Sequence, residues 1–347
     1  MLLEGIFLPL TTPFHPDGRL FLHKLASNVE HYSRTQAAGL LVLGPTGEAG
    51  GLKDTEVRQV LKTAIGAAAD EKVMVAAVGR ESVSATLLLA GAADSLQYDA
   101  IAARAPEFAG DAKLRREVAT YFKTVADQSA LPLVLISDRH QPLDVELLAE
   151  LSTHANILGV VDHQASTSRV SSLLGATAGT NRHGTVTSTF AAATGRMLRQ
   201  TVPAEAGNFV SAEALTGGVA VAATPLPAIK TRTKKVGFQI LTSDTSGMLE
   251  AWNAGAAGAV PALGACAPQA CCEVWQAFKD GDPALAAEKQ HRILTPAAVV
   301  DGWRGIASLK YGCDLNAYFG GLPRLPLLPL SAEERTKVEA ALSGLKN

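Results

Sequence analysis

Short apolar runs alternate with helix-length amphipathic stretches along almost the whole chain. The apolar runs predict strands over 5–14, 39–43, 73–79, 100–105, 131–137, 157–162, 237–243 and 258–263. Between them, apolar residues recur at helical spacing over 20–36, 55–69, 82–96, 111–128, 144–154 and 246–254. Strands that alternate with helices at this pitch pair in parallel, because parallel neighbours need a crossover connection. Eight such units favour a closed (β/α)8 TIM barrel over an open sheet. The barrel is expected over 1–265 and a carboxy-terminal helical extension over 266–347.

One stretch breaks the rhythm. From about 175 to 235 the chain is rich in Thr, Ala and Gly, and it separates the sixth and seventh strands. It holds a strand candidate (184–190), a helix candidate (191–200), an apolar run (217–224) and the basic cluster Lys230, Arg232, Lys234 and Lys235. Structureless loops of this length are uncommon, so an insertion with its own structure is expected, at the barrel's mouth or rim. The basic cluster reads as a solvated face.

Length fits this division. A barrel typically takes about 250 residues, so a chain of 347 has a surplus for an insertion and an extension. The formal charge of −2 argues against a dedicated nucleic-acid binder, and 47% apolar residues argue against disorder. Cys266, Cys271, Cys272 and Cys313 are too few for a disulfide framework and match no zinc spacing, which points to reduced thiols and the cytoplasm. The amino terminus carries Glu4 and no basic segment, unlike a signal peptide. The long uncharged run 251–272 contains Pro261 and Pro268 and reads as core and loop, so no membrane association is expected.

The pieces GIFLPLTTPF, LVLGPTGE, LPLVLISD, NILGVVD, FQILTSD and RLPLLPLSAEER occur in one order. In that order the chain resembles the dihydrodipicolinate synthase / N-acetylneuraminate lyase family of class I aldolases, over about 3–175 and 237–345. The resemblance implies a (β/α)8 barrel with helices added at the carboxyl end, and a homodimer or homotetramer. It also implies a lysine on the sixth strand that forms a Schiff base with a 2-keto acid, a chemistry that makes an enamine accessible.

That chemistry does not carry over residue by residue. In NILGVVD the lysine position is Val161, and no lysine lies between Lys123 and Lys230. The relay tyrosine on the fifth strand is replaced by Ile136, and the nearby arginine position by Gln141, with Arg139 close by. The two-hydroxyl loop that holds the keto-acid carboxylate reads Gly44-Pro45-Thr46-Gly47-Glu48, so one hydroxyl is gone and Pro45 removes a backbone donor. The aromatic pair after the fourth strand is Glu107 and Phe108. Four parts of one machine are altered together, so Schiff-base aldolase activity is not expected. Lys230, Lys234 and Lys235 are the amines the insertion would have to bring to the mouth.

Strand alternation gives Ile136, Asp138 and His140 one parity, and Val161 and His163 another matched pair, at the end of the barrel where active sites of this fold lie. Asp138, His140 and His163 are therefore candidates for metal-free acid–base work or for a divalent metal, with mutual hydrogen bonding at a solvated mouth as the plainer alternative. Gly44, Thr46, Gly47, Phe108 and Arg139 are candidate ligand-binding residues. Asp162 is expected to anchor a loop, Asp244 to cap the next helix, and Arg104 either to face a helix or to need a carboxylate partner. Three readings follow: a barrel that binds a small keto or sugar acid without Schiff-base chemistry, an enzyme with changed lyase or hydrolase chemistry, or a structural partner of an active relative. No cofactor is implied.

Overall fold

In a computed structural model, which describes residues 1–107, 114–200 and 229–345, eight parallel strands close into a barrel. In chain order these are β1 (Gly5–Pro9), β2 (Gly39–Val42), β3 (Val73–Ala77), β4 (Ala100–Arg104), β5 (Leu133–Ser137), β6 (Ile157–Asp162), β9 (Gln239–Thr242) and β10 (Gly258–Ala259). β7 (Arg182–Thr187) and β8 (Thr231–Val236) form a separate antiparallel ribbon. The barrel strands are buried at almost every position, as expected of parallel strands covered on both faces. Gly159 lets β6 lie against β9, since a Cβ there would stand 2.0 Å from the Gln239 carbonyl.

The outer ring follows the amphipathic pattern. α1 (Leu22–Ser33), α2 (Asp54–Ala67), α3 (Val83–Ser95), α4 (Arg115–Gln128), α5 (Val145–Ser152), α6 (Thr167–Ala176), α8 (Met248–Asn253) and α9 (Pro268–Lys279) each bury one stripe against the strands. Ser82, Asp144 and Ser166 cap the starts of α3, α5 and α6 with side-chain oxygens. The expected helix over 111–128 is described from Arg115 onward. α9 packs beside β1 and α8 in this outer ring. The carboxy-terminal helices beyond it are α10 (Pro283–Ala297), α11 (Ile306–Leu315) and α12 (Ala332–Leu342). Pro296 interrupts the last turn of α10, and the chain widens into a π-helical turn over Ala298–Trp303 before α11.

The described part of the insertion does not lie at the mouth. Arg182 donates to the carbonyls of Ser152 (2.6 Å) and His154 (2.7 Å), and Lys234 pairs with Glu4 at 2.5 Å. In the short helix α7 (Gly195–Gln200), the Gly195 amide donates to Asp99 at 3.0 Å and Arg196 reaches the Lys72 carbonyl at 2.5 Å. Glu4, Lys72, Asp99 and His154 all precede strands, so these contacts place the described insertion on the amino-terminal face. Topology explains it: the insertion leaves from the end of α6 and returns to the start of β9, and helix-to-strand connections of this barrel run along that face. The helix candidate 191–200 contains α7, and the strand candidate 184–190 overlaps β7. The apolar run 217–224 lies outside the described residues. Arg232 and Lys235 are exposed, while Lys234 is held by Glu4.

Candidate functional site

At the carboxyl ends of the strands lies a cavity of about 310 Å³. Leu41, Ile136, Val161 and Val260 supply an apolar floor, and Thr46, Arg139, His163, Ser243 and Asp301 stand among the polar groups around it. Beneath the floor the barrel interior is packed, with a void of only about 10 Å³ among Phe7, Val75, Val134 and their neighbours. A ligand therefore has room at the mouth and none below it.

The β5–β6 register sets Ile136 directly beside Val161. Both are almost wholly buried, at 6% and 7% exposure. The positions where the resemblance implied a tyrosine and a lysine thus meet as an apolar pair under the cavity. Among the described residues no lysine lines it. Lys234, one of the three insertion lysines, is engaged on the opposite face.

Asp138, His140 and His163 do converge on the cavity, but their hydrogen bonds differ from a shared triad. Asp138 Oδ1 accepts the backbone N–H groups of His140 and Gln141, each at 2.8 Å, and so holds its own loop. Arg139 Nε donates to His163 Nε2 at 3.1 Å, and Ser243 Oγ lies 3.5 Å from Nδ1. An imidazole that accepts from a guanidinium is neutral at that nitrogen. Burial, and then the charge of Arg139, push the His163 pKa down, in the same direction. Among the described residues no three His, Cys, Asp or Glu side chains gather in a way that would hold a metal ion, so the metal-assisted version of the triad has no ligand set.

Parity alone did not suggest Ser137, the last residue of β5, or Arg139, yet both also line the cavity; alternation lapses once β5 ends, which brings in Arg139. Ser137 Oγ donates to Asp162 at 3.0 Å, and Asp162, fully buried, pairs with Arg169 Nε at 2.6 Å. Arg169 also donates to the Leu143 carbonyl, so Asp162 ties the loops after β5 and β6 together. Asp244 accepts from the Ser246 amide at 3.0 Å, just ahead of α8. Arg104 is half-exposed at the end of β4, 3.8 Å from Glu81 and 3.7 Å from Glu107. Phe108 lies outside the described residues.

The GPTGE loop is held from beneath. Thr46 Oγ1 donates to the Leu10 carbonyl at 3.1 Å, and Thr12 Oγ1 to the Gly47 carbonyl at 2.6 Å. Gly44 precedes Pro45, which begins the 3₁₀ turn. Glu48, at a φ of 53°, turns inward and pairs with Lys310 of α11 at 2.6 Å. Both are buried, at 4% and 0% exposure of the side chain. Lys310 Nζ also donates to the Leu322 carbonyl at 2.9 Å and sits 4.4 Å from the Phe14 ring centroid, while Glu48 accepts the Arg324 amide at 2.8 Å. Burial pushes the Lys310 pKa down and the Glu48 charge opposes it.

The Dihydrodipicolinate synthetase family model matches residues 2–181 and 217–345, leaving out only 182–216 within the insertion and the extreme termini. The chain belongs to this family. The 4-hydroxy-tetrahydrodipicolinate synthase of Acidiphilium cryptum is 23% identical over 348 residues, spanning 99% of this chain and 98% of the relative. A dihydrodipicolinate synthase from Bacillus anthracis superposes with a TM-score of 0.77 at 18% identity, with full coverage of both chains. A prophage protein of the family from Escherichia coli K12, solved in complex with pyruvate, has a TM-score of 0.77 at 20% identity and covers 99% of each chain. At such identities the solved structures establish the fold alone.

Two residues of this dihydrodipicolinate synthetase family member escaped the sequence reading. Asp301 enters the cavity wall from the π-helical turn, and Lys310 buttresses the GPTGE loop. Asp301 Oδ2 accepts from Thr245 Oγ1 at 2.7 Å, while Oδ1 is buried without a hydrogen-bond partner. Burial pushes its carboxyl up to about 6. The signal was present in AAVVDGW, a lone charge in an apolar run. Its position beyond the eighth strand hid it, because nothing in the periodicity says that the extension folds back over the mouth.

Proposed function

We propose that this family member binds a small keto or sugar acid at the mouth cavity and performs no Schiff-base aldolase chemistry. The observation that carries the reading is Val161 in the cavity floor, where an amine would have to stand. Arg139 supplies the anion-binding element: its Nε is held by His163, and it makes no ion pair among the described residues, so its outer N–H groups are free for a carboxylate. Thr46 places a hydroxyl on the same wall. Borohydride reduction of the full-length protein with pyruvate, followed by mass spectrometry, tests the reading. The expected outcome is an unmodified chain, and a covalent adduct on any lysine refutes it.

The changed-chemistry alternative keeps one support, the neutral His163 beside the cavity. Asp138 is committed to its loop, so acid–base work would fall to His163 and His140 without it. A homodimer or homotetramer in the cytoplasm is our expectation for its assembly and location. The burial of Cys271, Cys272 and Cys313 as thiols supports a reducing compartment.

A further inference from the structure

Asp301 and Arg139 face the same cavity with no bond between them. The guanidinium is near enough to favour the ionised carboxyl, yet no ion pair joins the two. Thr245 fixes one carboxyl oxygen and leaves the other, Oδ1, without a partner. A buried acceptor left unmade is costly, and such groups in folded proteins are normally satisfied by protein, water or ligand. His163 does not meet the need, because its Nε2 accepts from Arg139 and its Nδ1 faces Ser243. The charge of Asp244 adds repulsion and does not meet the need either. The cavity of about 310 Å³ lies at the small end of the ~300–1,000 Å³ range of ligand pockets.

From this arrangement we propose that Asp301 is a ligand-binding residue that selects a hydroxy acid: the ligand carboxylate meets Arg139, and a ligand hydroxyl donates to Asp301 Oδ1. The inference rests on the acid-binding reading above and narrows it from keto or sugar acids to those carrying a hydroxyl donor. A keto oxygen only accepts, so a plain 2-keto acid leaves Oδ1 unsatisfied and sets its own carbonyl lone pairs near a carboxylate. With the carboxyl pushed up only to about 6, Asp301 is ionised at pH 7.5, and its hydrogen bond to a hydroxyl is of the stronger, charge-assisted kind.

The test is a ligand-observed NMR titration of the full chain at pH 7.5 with two three-carbon probes, glycerate and pyruvate. Wild-type protein is expected to bind glycerate about tenfold more tightly, the size of one hydrogen bond to a charged group. Asp301→Ala should remove that advantage by weakening glycerate without weakening pyruvate, and Arg139→Met should weaken both probes alike. Equal wild-type affinities overturn the proposal without recourse to any variant. A glycerate preference that survives Asp301→Ala, with both probes still dependent on Arg139, overturns the role of Asp301 alone. If neither acid binds, or Arg139→Met changes nothing, the acid-binding reading falls and takes this inference with it.

Discussion

Lys310→Met is the perturbation that best probes how the mouth is held in place. Lys310 is fully buried and Glu48 nearly so, and their contact at 2.6 Å is reinforced by the Leu322 carbonyl and the Phe14 ring. Removing one partner of a buried pair leaves the other charge uncompensated, which costs about 3–5 kcal/mol. Methionine fills most of the lysine stem, so the loss is mainly electrostatic rather than a cavity. Glu48→Gln in the same background removes the stranded charge, and the double variant should be at least about 1 kcal/mol more stable than Lys310→Met alone. Urea unfolding followed by tryptophan fluorescence and circular dichroism measures both. Hydrogen exchange at residues 44–48 should rise selectively in the single variant, because Glu48 anchors that loop to α11. A loss below about 1 kcal/mol, or additive effects in the double variant, would refute the claim that this pair clamps the GPTGE loop.

Asp301→Asn should change the pH dependence of stability. The folded carboxyl titrates at about 6 against an ordinary 3.8, so the fold favours its protonated form, and that advantage is present below pH 3.8 and lost as pH rises through 6. At about 1.4 kcal/mol for each tenfold, the stability of Asp301→Asn relative to wild type should rise by about 2.4 kcal/mol between pH 4 and pH 7.5, and a difference that stays flat in urea titrations contradicts the burial argument. Arg169→Met strands the fully buried Asp162 and should lower stability by about 3–5 kcal/mol, read as a shift in the urea midpoint. A negligible shift there would mean that Asp162 does not anchor the loops after β5 and β6.

Periodicity alone made the barrel legible. Eight apolar runs joined by amphipathic helices leave few topologies that bury every strand on both faces, and the closed sheet follows. The apolar floor was legible too, since Ile136 and Val161 hold corresponding places near the ends of β5 and β6, and the parallel pairing sets them side by side. The expected meeting of Asp138, His140 and His163 around one cavity is likewise found, although Asp138 Oδ1 is spent on its own loop.

Three matters were settled only in three dimensions. The insertion follows β6 and α6 in sequence, yet its described part sits at the other end of the barrel from the cavity. A strand carries the chain across the full barrel height and the next helix carries it back, so neighbours in sequence part in space. Asp301 and Lys310 reach the mouth from helices beyond the eighth strand, and no local pattern records which face a carboxy-terminal helix will cover. The sequence by itself determined the barrel and the apolar residues of its floor, Ile136 and Val161, because both follow from short local patterns. The tertiary structure decided which distant charges surround that floor, because burial and pairing depend on neighbours far apart in the chain, Thr245 for Asp301 and Glu48 for Lys310.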